Sequence, residues 1–324
     1  MRALLVVNPK ATTTSEYNRD LLIRALGGAT AAGRAIDLRV AYTTRRGHAV
    51  SLAHDAAREG FDLVVTLGGD GTVNEAVNGL LSADPDGAEG AAYGAHRRPI
   101  LAVVPGGSTN VFARAAGLPR DWAEATQVIL AALRQGRTRT VGVGRADDRY
   151  FTFCAGLGLD AEVVRRVERA RLKGRTSTPG LYVRSAMAQY LTETDRSTPM
   201  ITLDRSGSGF PDEIGLASVV VQNTAPWTYI GDREIHASAE ASFDTALDVF
   251  GLKVLRLPST ARLASQLLRG RPRINGKQIM TIHDVYSFGL RAQRPMAFQL
   301  DGDYLGERGK VEFVAVPEAI RVVV

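Results

Sequence analysis

Over the first hundred residues the chain switches repeatedly between two hydrophobic periods, and this limits its fold more than any other feature. Ala3–Val7 is a short apolar run, and Glu16–Leu26 then has helical spacing through Tyr17, Leu21, Leu22 and Ala25. Ile36–Tyr42 alternates as a strand, 49–58 is helix-like, Leu63–Leu67 is continuously apolar, 73–81 is helical again, and 100–104 is another buried run. Strands that alternate with helices need crossover connections, so the expected fold is a parallel sheet covered on both faces. Ligands of such sheets sit outside the carboxyl ends of the strands.

The most unusual local sequence lies at that edge. "DLVVTLGGDGTVNEAVNGL" (62–80) runs from a strand through Gly68, Gly69, Asp70, Gly71 and Thr72 into a helix. Glycine permits positive φ and lets bulky oxygens approach the backbone. The free N–H groups of the following helix make an anion site. Asp70 cannot attract phosphate, but it suits a Mg²⁺ that accompanies one. On its own, the stretch could equally be a tight strand-to-helix turn. It is neither a P-loop nor a GxGxxG opening. "ILAVVPGGSTNVFAR" (100–114) repeats the pattern, and Ser108 or Thr109 could cap the next helix or meet a phosphate oxygen. "VVNPKAT" (6–12) is a third strand end, where Asn8 can bond a backbone or a nucleotide.

The 18 residues 82–99 read as a surface loop, 108–116 as a helix, and 121–135 as a helix capped by Asp121 and stopped at Gly136. Beyond Gly136 the pattern changes. Two strands surround Asp147-Asp148, helices follow at 161–173 and 182–191, and strand-like runs appear at 200–203, 216–222, 247–255, 279–290, 296–300 and 311–314. Consecutive strands separated by Gly and Pro turns indicate an antiparallel, sandwich-like domain. The expected domains are 1–135 and 136–324, and a return of the final strand to the first domain stays open.

Several function classes are excluded or disfavoured. Among 324 residues the single cysteine, Cys154, allows no intrachain disulfide, and five scattered histidines without HExxH spacing disfavour a zinc hydrolase. No apolar run approaches the roughly 18 residues of a membrane span, and the N-terminal run reads as a first strand rather than a signal peptide. A cytoplasmic location is expected. The net charge of +6 suits phosphorylated substrates, anionic membranes or nucleic acid. Aromatic residues make up only 6% and no nucleic-acid module is present, so nucleic acid is not expected as a partner.

"GGDGTVNEAVNGL" together with "PGGSTNVFAR" resembles the diacylglycerol kinase catalytic family, the bacterial lipid kinases related to sphingosine and ceramide kinases. The GGDGT core is similar to that of the wider NAD kinase and phosphofructokinase-like group. "GLGLDAEVV" (156–164), "FDTALDV" (243–249) and "QLDGDYL" (299–305) extend the resemblance over most of the chain. It implies a Rossmann-like α/β nucleotide domain, a β-rich lipid domain, a site in the cleft between them, and phosphoryl transfer from ATP with Mg²⁺ to a lipid hydroxyl. Diacylglycerol is the expected acceptor, giving phosphatidic acid. Another lipid alcohol such as a sphingoid base or ceramide, or an inactive nucleotide- or lipid-binding module, stays open.

Carried over by position, nucleotide contacts fall on Asn8, Pro9, Lys10, Ala11 and Thr12, on Thr43, on Gly68, Gly69, Asp70, Gly71, Thr72, Val73 and Asn74, and on Ser108, where the family has Thr. The metal segment falls on Asp244 with the carbonyls of Ala241 and Ala246, and Thr245 replaces the family's Gly. Asp301 takes the place of the proton acceptor, and Asp303 stands beside it as a second catalytic carboxylate where Glu is more frequent. A carboxylate there would accept the proton of the attacking alcohol. The basic segments 163–175 and 267–277 would meet an anionic membrane surface peripherally, at its inner face. A homodimer is compatible with all of this.

Overall fold

The computed structural model describes residues 1–83, 98–174, 179–192, 200–205, 212–269, 274 and 276–324. The chain divides into two compact units, Met1–Gly142 with Val316–Val324, and Val143–Ala315.

In the first unit the strands Asp37–Tyr42, Arg2–Val7, Leu63–Gly68 and Ile100–Pro105 lie side by side in that order, all parallel. The end of a long strand, Asp303–Val323, adds to them, with Val322 opposite Leu101 and again parallel. Leu63–Gly68 is buried along its whole length, as expected of an inner strand covered on both faces. The helices Glu16–Gly27, His48–Arg58, Asp70–Ser82 and Trp122–Gln135 follow the strands. Ser15 caps the first of them by accepting the Asn18 N–H, and Asp121 caps the last by accepting those of Ala123 and Glu124. Gly136, at φ 66°, ends that last helix in the left-handed conformation the sequence suggests.

Val7 lies opposite both Tyr42 and Leu67, and Gly68 lies opposite Pro105. Four strand ends therefore finish level at one edge, and the next residues of each are Asn8, Thr43, Gly69 and Gly106. The spatial order places the first strand between the second and third, so the edge contains the topological switch point at which doubly wound sheets bind ligands.

The second unit is an antiparallel assembly. Strand Ser218–Gln222 pairs with Leu247–Leu252 and with Cys154–Leu157; Leu247–Leu252 also pairs with Ile279–Val285. Ser287–Leu300 pairs with Cys154–Leu157, with Ile201–Asp204 and with the first part of Asp303–Val323. Their inward side chains form one core that includes Phe151, Leu203, Val219, Val249, Leu290 and Phe313. Among the described residues, three helices belong to this unit: Leu159–Leu172, Pro179–Thr192 and Leu257–Leu268.

The structure corrects several expected elements. The helix expected from residue 108 begins only at Val111, because Gly107 and Asn110 close a loop before it. The run 279–290 is two strands that break at Tyr286. Helix Leu257–Leu268 has no counterpart in the sequence reading, although Pro258 stands in its first turn, a favoured position for proline. The expected loop 82–99 falls mostly outside the described residues, as do Arg175 and part of the basic cluster at 267–277.

Candidate active site

At the sheet edge of the first unit the glycines of two turns face each other. A Cβ on Gly107 would lie 2.6 Å from Gly69 Cα, and one on Gly106 would lie 2.9 Å from Gly68 N. Real side-chain carbons do not come so close, so the two turns pack backbone against backbone. The Gly106 N–H also donates to the Gly68 carbonyl at 2.8 Å. Gly68, Gly69, Gly71, Gly106 and Gly107 all lack positive φ. Of the two reasons expected for these glycines, positive φ is therefore corrected: no left-handed turn is present, and what Gly106 and Gly107 supply is the absence of a side chain.

The 8–14 segment joins this pair. Asn8 Nδ2 donates to Thr72 Oγ1 at 3.1 Å, the Asn8 N–H to the Leu67 carbonyl, and the Thr13 N–H to the Gly106 carbonyl. The Lys10 N–H returns to Asn8 Oδ1, which makes Pro9 and Lys10 the tip of a local turn that Ala11 and Thr12 continue. Thr43 is tied to the same edge through its N–H and the Val7 carbonyl. Thr14 Oγ1 is buried beside Gly106 with no partner among the described residues. Val73 and Asn74 are buried in the first turns of helix Asp70–Ser82.

Asp70 begins that helix, and its Oδ1 accepts the Phe112 N–H at 3.2 Å. The carboxylate thus serves the start of helix Val111–Ala115 as well as its own N-terminus, where negative charge is favourable. Ser108 and Thr109 were candidates to cap that helix, but neither does. Asn110 precedes it at φ 53° and bonds back to Gly107, while Ser108 Oγ lies 3.5 Å from Thr109 Oγ1. The edge as a whole is a bare-backbone floor that follows a strand end and leads into a helix N-terminus, a suitable cradle for phosphate oxygens.

In the continuation "NEAVNGL", Glu75 and Gly79 serve packing. Glu75 accepts the N–H groups of Gly47 and Ala49 at 2.7 and 3.0 Å, and so caps helix His48–Arg58 from a neighbouring helix. Gly79 lets those two helices touch: a Cβ there would lie 2.9 Å from Ala53 Cβ and 3.0 Å from His54 N.

In the second unit, Asp301 and Gly302 are the two central residues of a hairpin turn between Leu300 and Asp303, at φ 48° and 80°. Such two-residue turns need positive φ at both positions, which Asp-Gly supplies. Asp301 is not exposed, as a plain turn residue would be. It is 4% accessible, and its carboxylate accepts four hydrogen bonds: from Thr152 N–H (2.6 Å), Thr152 Oγ1 (2.8 Å), Phe153 N–H (3.0 Å) and Cys154 N–H (3.1 Å). Burial pushes its carboxyl above the usual carboxylate range, against these donors, which favour the ionised form. Asp303 is more accessible, at 21% for its side chain, and has Arg149 Nη2 at 3.9 Å.

The turn is braced from beneath by two side chains that the sequence reading did not assign. Gln299 Oε1 accepts the Gly302 N–H at 2.9 Å, and its Nε2 donates to Asp160 Oδ2 at 2.7 Å. The Asp160 residue keeps some surface, but its carboxylate packs onto Gly156, where any Cβ would collide with it. Burial raises the Asp160 pKa to about 6, although the Gln299 bond works the other way. The only available signal was "GLGLD", which flagged Asp160 without a role.

The 241–246 loop is a tight turn. The Asp244 N–H donates to Ser242 Oγ, and Thr245 Oγ1 and N–H both return to the Ser242 carbonyl. Thr245 has no positive φ, so it fits where the family has Gly. Asp284 Oδ1 accepts the Ala246 N–H and ties the loop to the neighbouring strand. Asp244 is exposed, and the Ala241 carbonyl accepts one bond, from Ala225 N–H. One carboxylate with peptide carbonyls is an all-oxygen donor set, which suits Mg²⁺. Among the described residues no group of three or more His, Cys, Asp or Glu side chains could hold a metal.

The diacylglycerol kinase catalytic domain profile matches residues 2–146. The diacylglycerol kinase of Bacillus subtilis is 31% identical over 328 aligned positions, which cover 99% of this chain and 96% of that protein. The crystal structure of a diacylglycerol kinase from Bacillus anthracis superposes with a TM-score of 0.73 at 24% identity, covering 99% of this chain and 96% of that one. An NAD kinase from Archaeoglobus fulgidus, solved with ATP, superposes at 0.50 and 10% identity over 100% and 94%, which relates the folds alone.

Proposed function

This chain belongs to the diacylglycerol kinase family, and from that membership we propose that it transfers the γ-phosphate of ATP to the hydroxyl of diacylglycerol, giving phosphatidic acid. The observation that carries the nucleotide half is the pair of side-chain-free turns at the level sheet edge, followed by a helix N-terminus. Backbone N–H groups there would hold the phosphates, Asn8 and Thr72 would fix the shape of the floor, and Thr43 and Ser108 would flank it. Mg²⁺, when bound, would neutralise charge on the phosphates, a role that Asp70 suits in the first unit; in the second unit Asp244 with the carbonyls of Ala241 and Ala246 would hold a Mg²⁺.

The sequence resemblance gave proton acceptance to Asp301. The hydrogen-bond pattern favours a division of labour instead. Asp301 has four donors on its two oxygens and almost no accessible surface, so a lipid hydroxyl cannot reach it without displacing them. In this reading Asp301 anchors the hairpin and Asp303, two residues on and more accessible, accepts the alcohol proton. The enzyme would work in the cytoplasm against the inner face of the membrane; among the described residues no helix is long and apolar enough to cross it.

The test is labelled ATP with Mg²⁺ against diacylglycerol, sphingosine and ceramide in mixed micelles. Transfer to diacylglycerol, lost in Asp303→Asn, is the expected result. Transfer confined to a sphingolipid, or to none of the three, would overturn the substrate assignment.

A further inference from the structure

Helix Pro179–Thr192 has its polarity reversed. Its buried positions are Ser185 and Gln189, at 5% and 2% accessibility, and Gln189 Nε2 donates to Glu162 Oε2 of the neighbouring helix at 3.0 Å. Its exposed large hydrophobic residues are Val183, Met187 and Leu191, at 43%, 60% and 54%. These three stand four residues apart, so they form one continuous stripe. A helix in water normally turns its apolar stripe inward. Here the inner face holds Ser185 and the hydrogen-bonded Gln189, and the apolar stripe is left outside.

The neighbouring helix, Leu159–Leu172, ends in Leu172 at 87% accessibility, set between the exposed cations Arg171 and Lys173, with Arg169 one turn earlier. Arg184, also exposed, follows Val183 directly. An exposed apolar stripe and exposed cations on two helices packed together are complementary to an anionic bilayer: hydrocarbon takes the stripe, and headgroups take the charges. A second copy of the chain fits less well, because a two-fold contact on this face would bring like charges together.

We propose that the outer face of helix Pro179–Thr192, with Leu172 and its flanking cations, is the surface by which the protein inserts shallowly into an anionic membrane. The proposal rests on the lipid-kinase reading for its purpose, but its test does not depend on that activity. Binding to phosphatidylcholine vesicles with and without phosphatidylglycerol is measured by co-sedimentation. The proteins compared are the wild type, Met187→Gln/Leu191→Gln, and Arg169→Gln/Arg171→Gln/Lys173→Gln. Turnover of short-chain diacylglycerol in detergent micelles is measured in parallel.

The wild type should bind only the anionic vesicles. Each multiple variant should lose about tenfold or more in partitioning, with micelle turnover and thermal midpoint unchanged. Undiminished binding by both variants would overturn the proposal. So would a concentration-dependent dimer in sedimentation velocity that Met187→Gln/Leu191→Gln abolishes while vesicle binding persists. Absence of micelle turnover in the wild type would count against the kinase reading and leave the vesicle result standing.

Discussion

Asp301 and Asp303 are separated by one glycine, and their surroundings give them different chemistry. Asn in place of Asp301 would turn an N–H₂ group toward at least one of the donors at 152–154. That leaves buried groups unmatched and costs about 3 kcal/mol, so urea unfolding should register a clear loss of stability in Asp301→Asn. Asp303→Asn should unfold like the wild type while its turnover falls by at least about 100-fold. Equal stability in the two variants would reverse the assignment. Asp160 offers a pH test. Its folded carboxyl titrates near 6, above an unfolded one, so the native state takes up the extra proton. The stability this confers is fully present below about pH 4 and is lost as pH rises to 6. Above that, the ionised group costs about 3 kcal/mol relative to the protonated one. Asp160→Asn keeps an acceptor for Gln299 and should therefore flatten the stability profile between pH 4 and 6 and stabilise the protein at pH 8. The turn at 301–302 was legible because Asp-Gly is a strong local signal. Its burial was not, since the donors at 152–154 lie about 150 positions upstream and nothing local announces them.

At the scale of elements, strands and helices of the first unit could be read because each carries a clean period and its own stop signals. The roles within them were harder to see. "GGDGT" announces a ligand turn, but only the opposed packing of Gly69 and Gly107 shows why two glycine turns are needed together. Glu75 and Gly79 look like part of the ligand signature, yet they join two helices. Glu75→Ala should therefore lower stability by about 1–2 kcal/mol through loss of the cap, and Gly79→Ala by more, as measured by denaturant melts. Nucleotide affinity per folded molecule should change little in Glu75→Ala. Helix Pro179–Thr192 was found by its spacing, but its reversed polarity was invisible, because spacing alone does not say which face is buried.

At the scale of the whole molecule, the two units do not divide the sequence into two blocks. The change of pattern after Gly136 was legible because strand-like runs there succeed one another directly, instead of alternating one by one with helices as in the first part. The return of the chain was not, because a short apolar run such as 319–324 carries no address. The structure gives Val316–Val324 to the first unit, where Ala319, Ile320, Val322 and Val323 are all buried and the Ala319 carbonyl accepts from Arg98 Nη1 at 3.0 Å. Residues 1–142 expressed alone should then show reduced near-ultraviolet circular dichroism and a lost cooperative melt. A circularly permuted chain that joins 316–324 to Met1 through a flexible linker should recover both without the second unit. Failure of the permuted form to melt cooperatively would mean that the first unit needs more than its last strand.

That returning strand also fixes an order of events during synthesis. The floor of glycine turns is complete in sequence by residue 110, yet the strand beside Leu101 emerges from the ribosome only after residues 143–315 have been made. At a typical elongation rate of about 5–20 residues per second, the nascent first unit waits roughly ten seconds or more with one flank uncovered. During that interval its exposed edge is a natural target for holding chaperones. A ribosome stalled before residue 316 would display a unit whose nucleotide-binding turns are fully translated but whose sheet is still open.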